Sequence, residues 1–321
     1  MVEADIGIDL GTANVLVCIK GKGLVLREPT VVAVARSDGR ILAIGSQAKE
    51  MLGRTHDDVI AVKPLSQGVI SNFDLTEKML KYYIHKFKGN QFRKPKISIC
   101  VPSGVTEVER RAVEEVTYKA GAGKVFIMDE PIAAALGAGI VIDEPYGRMI
   151  VDIGGGTTDV AVISLGNIVL STSVKIAGDD FDDAISKYLR NQYGMLIGDT
   201  MAEEIKIGIG SLFKREDNEE HTVRGRSLIT GLPTSIDISS NELVPVLSEV
   251  AMKIIDSIYS VLEKTPPELT ADIAEDGILI TGGGSMINGF TDLIEAKTGI
   301  PVKLADDPLS TVAVGLQKRI N

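Results

Sequence analysis

The chain contains no tryptophan, and aromatic residues make up only 4% of its 321 positions. Its core must therefore be aliphatic, because aromatic burial cannot dominate it. Two cysteines, Cys18 and Cys100, both lie in apolar runs. They cannot make a disulfide framework and read as buried free thiols of a cytosolic protein. His56, His85 and His221 have no metal-ligand spacing, so a His/Cys metal site is not expected. No stretch approaches the roughly 18 uninterrupted apolar residues of a membrane span, and the N-terminal residues do not form a signal peptide. Basic residues are outnumbered by acidic ones, 34 to 44; the resulting net charge of −10 argues against nucleic acid as a partner. Low-complexity segments and long linkers are also missing.

What is present is an ordinary globular composition, 44% apolar and 24% charged, on a length that suggests about two domains. Two glycine-rich turns stand out, Asp9-Leu10-Gly11-Thr12 and Asp152-Ile153-Gly154-Gly155-Gly156-Thr157. Each follows a strand-like run ending in aspartate, and each leads into another alternating apolar run, Val15 to Ile19 and Val160 to Ile163. Both read as β-hairpins. Glycine lets backbone N–H groups approach an anion, threonine adds a hydroxyl donor, and the aspartate can hold a hydrated Mg²⁺. Their recurrence in the two halves suggests a duplicated fold gripping one polyphosphate from both sides. No GxxxxGK[ST] loop exists, and no GxGxxG opens a helix, so the P-loop and Rossmann readings fail. A third cluster, Gly282-Gly283-Gly284, follows a strand and precedes a helix, where a flat ring or sugar can lie on the backbone.

Strands and helices alternate in both halves, giving an α/β protein with helix-covered sheets. A helix is predicted from Asp74 to Lys88, with Asp74 and Glu77 at capping-box spacing and Leu80, Tyr83, Ile84 and Phe87 on one face. Thr106 and Glu109 cap a second helix, with Val108, Ala112, Val113 and Val116 inward. Further helices are expected at 132–139, 179–193, 200–213 and 240–264, and a last one from Pro308. A hinge is expected near 139–148.

Taken together, these motifs resemble the actin, sugar-kinase and heat-shock-chaperone ATPase superfamily, and more closely the bacterial actin homologues MreB and Mbl. The resemblance runs from Asp5 to Pro308, through Val151–Asp159 (VDIGGGTTD), Thr265–Leu269 (TPPEL) and Thr281–Gly284 (TGGG). It implies an actin-like ATPase fold of two related domains with a nucleotide in the cleft between them. Domain I would span 1–140 with a small insertion at about 31–66. Domain II would span 141–321 with an insertion at about 178–240, and a C-terminal helix at about 308–321 would return to domain I. The cofactors implied are ATP and Mg²⁺.

Position by position, the resemblance implies that Thr12, Ala13 and Asn14 bind phosphate from domain I, and Gly154, Gly155, Gly156 and Thr157 from domain II. Glu203 and Lys206 match an adenosine-contacting pair, although on spacing alone they are a solvated i,i+3 ion pair. Gly282, Gly283 and Gly284 would pack against the nucleotide, and Asp9 and Asp152 would hold Mg²⁺ through its waters. Glu130 matches the residue that orients the attacking water, with Thr157 beside it in the catalytic set; on residue type alone Glu130 is a helix N-terminal charge. Two departures stand out. Asp159 sits where many MreB sequences carry glutamate, and Gly208 replaces a longer residue common in the family, so that Gly208 and Gly210 fall in one helix at a cost of about 1 kcal/mol each.

The function implied is an ATP-hydrolysing cytoskeletal protein. It would form filaments, with paired protofilaments, under the cytoplasmic membrane and guide the cell-wall elongation machinery that maintains rod shape. The alternative is a small-molecule kinase on the same fold, which needs an acceptor pocket; a chaperone ATPase would need a peptide-binding domain. The chain starts four residues before its first strand, so no N-terminal amphipathic anchor is expected. Residues 78–96 hold seven basic residues and no acidic one, interleaved with Tyr82, Tyr83, Phe87 and Phe92. This island is expected to face anionic lipid, where each basic residue contributes about 1 kcal/mol; the alternative is a solvated face or filament contact.

Overall fold

The computed structural model describes residues 5–88 and 93–320. Two five-stranded sheets organise it. The first uses β1 (Ile6–Leu10), β2 (Asn14–Ile19), β3 (Gly23–Pro29), β9 (Lys96–Val101) and β10 (Lys124–Asp129). Between β3 and β9 come β4 (Val32–Ala35), β5 (Ile41–Ile44), α1 (Ser46–Lys49), β6 (Val59–Val62), β7 (Leu65–Ser66), β8 (Val69–Ile70) and α2 (Phe73–Lys88). Then α3 (Glu107–Lys119) precedes β10, and α4 (Glu130–Gly137) follows it.

The second sheet uses β11 (Arg148–Ile153), β12 (Thr158–Ser164), β13 (Asn167–Val174), β17 (Ile278–Thr281) and β18 (Val302–Leu304). Between β13 and β17 lie α5 (Gly178–Tyr193), β14 (Met195–Leu196), α6 (Asp199–Ile209), β15 (Glu220–Ser227), β16 (Pro233–Ser239), α7 (Ser240–Leu262) and α8 (Pro267–Asp276). After β17 come α9 (Phe290–Thr298), β18 and α10 (Thr311–Ile320).

The strand orders, β10-β9-β1-β2-β3 and β18-β17-β11-β12-β13, are the same arrangement made twice. In each sheet a meander of three antiparallel strands is extended by two parallel ones. Parallel strands need crossovers, and the helices that supply them cover the sheets. The remaining elements insert after the third strand of each meander: a small β sheet in the first half, and a helix pair with its own sheet in the second.

Helices α4 and α10 occupy equivalent places, each after the fifth strand of its half. They pack on each other, and α10 also touches β1, β2, β3 and β9 of the first sheet. Their backbones meet at two glycines. A β-carbon on Gly137 would collide with the Thr311 carbonyl, and one on Gly315 with the Ala133 carbonyl. The core around them draws on both halves: Cys18, Cys100 and Met128 from the first sheet, Ile150 and Ile163 from the second, and Ala133–Ala135 with Leu316 from the helices. Both cysteines are buried free thiols here, and burial pushes Cys18 up to about 12. Separate aliphatic cores fill each half.

Several local expectations need correction. The α2 cap is Asn72, whose Oδ1 accepts from Leu75 N at 3.0 Å, so the Asp74/Glu77 spacing is incidental. The Thr106/Glu109 capping box does form, but Val108 is 77% exposed rather than inward. Helix α6 stops at Ile209, where Gly210 adopts extended backbone, so only Gly208 lies inside it. The last helix starts at Thr311, and Pro308 belongs to the preceding turn.

Candidate functional site

The two hairpin turns close by the same bond. Gly11 N donates to Asn14 O at 3.1 Å in the β1–β2 turn, and Gly154 N donates to Thr157 O at 2.9 Å in the β11–β12 turn. The turns face each other without a gap for side chains. A β-carbon on Gly155 would stand 2.6 Å from that of Ala13, and one on Gly156 would stand 2.7 Å from Thr12 Oγ1. Glycine at 155 and 156 is thus demanded by the approach of the opposite hairpin as well as by any anion. The second turn is also tied to the start of α5, with Gly178 N donating to Gly154 O and Asp179 N to Gly155 O.

A third element that sequence reasoning missed reaches the same place. The β7–β8 turn holds two consecutive residues with left-handed backbone, Gln67 (φ 50°) and Gly68 (φ 74°). Gly68 N donates to Thr12 Oγ1 at 3.0 Å, and a β-carbon there would meet the Thr157 methyl at 2.6 Å. A residue-plus-glycine pair between short apolar runs was a readable hairpin signal. Its position against both turns was not.

Behind the turns the structure gathers four carboxyls: Asp9 at the end of β1, Asp152 in β11, its register partner Asp159 in β12, and Glu130 opening α4. Burial pushes Asp9 up to about 7. Burial, then repulsion from Asp159 and Asp9, pushes Asp152 up to about 8. Glu130 is raised well above its ordinary value by burial and by Asp159, Asp9 and Asp152. Asp159 is raised by burial too, against bonds from Ser103, whose N and Oγ donate to it at 2.7 and 2.9 Å. So Asp159 links the loop after β9 to the second hairpin.

This donor set is all oxygen and strongly desolvated, which suits a hard divalent cation such as Mg²⁺. No three His, Cys, Asp or Glu side chains among the described residues converge closely enough to hold an ion directly. A fit through coordinated water is therefore the one this geometry accommodates.

Glu203 and Lys206 do not pair with each other. Glu203 takes Lys49 Nζ at 2.5 Å, bridging α6 to α1 in the first half. Lys206 donates to Gly178 O and Asp182 Oδ2, both at 2.9 Å. Burial raises Asp182 to about 6 in spite of that lysine. A second bridge between the halves joins Lys63 to Asp179 at 3.0 Å. Nothing in the sequence marks Lys49 or Lys63, because their partners lie more than a hundred residues away.

The triple glycine divides in two. Gly282 (φ 82°) and Gly284 are buried against Ile153, where a β-carbon would strike its carbonyl or side chain; Gly283 alone is exposed. Close packing therefore accounts for two of the three.

The family model described as MreB/Mbl protein matches the chain over residues 3–321. The chain belongs to the MreB/Mbl family. It is 48% identical over 316 residues to the cell shape-determining protein Mbl of Bacillus cereus, covering 98% of this chain and 95% of that one. It is 48% identical over 321 residues to the cell shape-determining protein MreB of Escherichia coli K12, covering 98% and 92%. The crystal structure of MreB5 of Spiroplasma citri bound to ADP superposes with a TM-score of 0.94 at 42% identity, covering 98% and 94%; its AMPPNP complex gives 0.93. The fold is thus the actin-like one, made of two related halves that each carry one of the repeated hairpins.

Proposed function

We propose that this chain is an ATP-binding and ATP-hydrolysing actin-like cytoskeletal protein that assembles into filaments. The observation that carries the reading is the meeting of two equivalent hairpin turns, one from each sheet, in front of Asp9, Glu130, Asp152 and Asp159. The MreB5 relative bound to ADP and to AMPPNP supports the nucleotide, and the cell shape-determining relatives support the biological role. They give the kinase alternative no support.

In this reading the backbone N–H groups of Thr12–Asn14 and Gly155–Thr157 cradle the phosphates, the Gly154 N–H being committed to closing its own turn, and the Thr12 and Thr157 hydroxyls donate to them. Such donors, fixed before the reaction, stabilise phosphoryl transfer without reorganisation. Glu130 orients a water and accepts its proton; burial and the neighbouring carboxyls raise its pKa, which makes its carboxylate a stronger base than an exposed glutamate. Mg²⁺, when bound through waters by Asp9 and Asp152, would neutralise phosphate charge. Glu203, Lys206 and Gly283 would contact the nucleoside, which requires Glu203 to exchange Lys49 for it. Glu130→Ala should bind ATP as wild type does and lose most of its hydrolysis; full hydrolysis in that variant removes Glu130 from its role.

The filaments would lie under the cytoplasmic membrane and organise cell-wall elongation. No helix among the described residues is long and apolar enough to cross a membrane. On α2, Lys78, Lys81, Tyr82, His85 and Lys86 are exposed, whereas Tyr83 is buried and Phe87 half-buried in the core, so only Tyr82 of that helix's aromatics is available to lipid. Phe92 and the rest of 89–92 lie outside the described residues. Flotation with anionic vesicles tests the island: loss of binding when Phe92, Arg93 and Lys94 are changed together supports it, and unaltered binding refutes it.

A further inference from the structure

The insertion of each half stands at the mouth of the cleft. That of the first half holds together as a unit, with Val31, Ala33 and Ala48 forming a small core of its own. Its helix α1 is tied to β3, because Ser46 N and Oγ both donate to Glu28 Oε2 at 2.7 Å. Its last strand, β6, runs into Lys63 and Pro64, and the Pro64 carbonyl accepts from Ser71 N and Asn72 N just before α2. Lys49, at the end of α1, and Lys63 are thus carried on one anchored frame.

Both lysines reach across to the second insertion. Lys49 meets Glu203 of α6 at 2.5 Å, and Lys63 meets Asp179 of α5 at 3.0 Å. No other hydrogen bond or ion pair among the described residues joins the two insertions. A third lysine, Lys206, stays within the second half on Gly178 O and Asp182, so opening of the mouth leaves its bonds intact. Burial opposes the charge on Lys63, yet Asp179, Glu203 and Asp182 together hold it above the ordinary lysine value.

The two bridges end on different parts of the site. Glu203 belongs to the pair assigned to the nucleoside, and in the empty cleft its carboxylate is turned to Lys49. Asp179 belongs to the phosphate side. Its N donates to Gly155 O at 2.7 Å, and Gly155 lies against Ala13 of the opposite turn. Nothing in the nucleoside's place requires the Lys63 bridge to break.

We propose that these two lysines, equal in charge and carried on the same insertion, act on bound nucleotide with opposite sign. Lys49 competes with the nucleoside for Glu203 and so favours release. Lys63 keeps the mouth closed over the filled cleft and so opposes release. Both are positioning residues, Lys49 acting through Glu203 and Lys63 through Asp179 and the second glycine turn. The assignment rests on the nucleotide reading above and identifies which side chains set how long the nucleotide stays. Their side chains are 36% and 39% exposed, so each bridge is screened and each effect is modest. The sign carries the claim. Losing a positive charge beside a polyanion would by itself weaken binding in both variants.

ADP affinity of the dilute full chain with Mg²⁺, together with release of labelled ADP chased by unlabelled ADP, tests this. Lys49→Met should bind ADP about threefold more tightly and release it more slowly, because the competing state is gone. Lys63→Met should bind it about threefold more weakly and release it faster. In a Glu203→Ala background Lys49→Met should bring no gain, while Lys63→Met should keep its effect. Two lysine variants that shift affinity in the same direction, or not at all, overturn the latch alone. So does a gain from Lys49→Met that survives without Glu203. A wild-type chain that folds yet binds neither ADP nor ATP overturns the nucleotide reading and the latch with it.

Discussion

In the first half of the molecule the turn joining β1 to β2 is Gly11-Thr12-Ala13, and it presents a hydroxyl and a methyl. In the second half its counterpart is Gly154-Gly155-Gly156, and it presents backbone alone. Both are closed by the same bond between the first residue and the fourth, Gly11 N to Asn14 O and Gly154 N to Thr157 O. The difference follows from how the turns meet. One hairpin can carry side chains only because the other gives them up: Thr12 and Ala13 fill the space that β-carbons at 156 and 155 would take. The duplication supplied two equal frames, and the interface between them made their sequences unequal.

The helices that end each half show the opposite outcome. Gly137 in α4 and Gly315 in α10 each sit against a carbonyl of the other helix. Here the two halves kept the same residue, because each backbone approaches the other. Gly315 lies inside α10, where glycine costs about 1 kcal/mol relative to alanine, whereas Gly137 is the last residue of α4; the close approach must outweigh the cost at Gly315. In the proposed function this seam, with the mixed core of Cys18, Cys100, Ile150 and Ile163 around it, is where the halves pivot.

Substitutions can break the comparison, beginning with the seam. Gly137→Val and Gly315→Val should each destabilise the chain by about 3 kcal/mol or more, since the collision is with backbone on a packed partner. Urea unfolding without nucleotide reads this, and one variant stable beside one unstable would show that the two helices are not equivalent. Next comes Gly156→Val. It should leave the fold intact and reduce ATP affinity about a hundredfold, about 3 kcal/mol, by wedging the turns apart. Ala13→Gly on the opposite turn should change affinity little; isothermal calorimetry on the pair checks the asymmetry.

The carboxyl cluster gives a pH prediction. Asp152 ordinarily titrates near 3.8 but is raised to about 8 in the fold, and Asp9 is raised to about 7. The native state therefore holds protons that the unfolded chain has already released. Without divalent cations, stability is fully present below about pH 4 for these groups and is lost as pH rises through 7 to 8. Asp152→Asn should flatten that decline, so its melting temperature gains on wild type between pH 6 and 9; parallel decline of the two would contradict it. Smallest of all, Lys49→Met should cost under about 1 kcal/mol in the same melts, because the Lys49–Glu203 bridge is about one-third exposed and screened.

Much of this was legible in the sequence where the signal is local. Both hairpins, the Thr106 capping box and the long apolar face of α7 depend on residues within a turn or strand of each other. The carboxyls Asp9, Glu130 and Asp152 were named through the resemblance, and the fold brings them together with Asp159. What could not be read depends on distant partners. Lys49 meets Glu203, Gly68 meets Thr12 and Thr157, and Gly282 is demanded by Ile153, contacts that no spacing encodes. Val108 was misread for another reason: periodicity describes the body of a helix, and this residue lies in the first turn of α3, where it is exposed.

The central claim is that two unlike turns hold one terminal phosphate between them. Affinities for ATP and ADP in Thr12→Ala and Thr157→Ala test it most directly. A hydrogen bond to a charged group contributes about 1.5–3 kcal/mol, so each variant should lower the ATP-to-ADP preference by about tenfold or more, from either side of the cleft. A preference left unchanged in either variant would contradict the account, because that turn would then not touch the phosphate that ADP lacks.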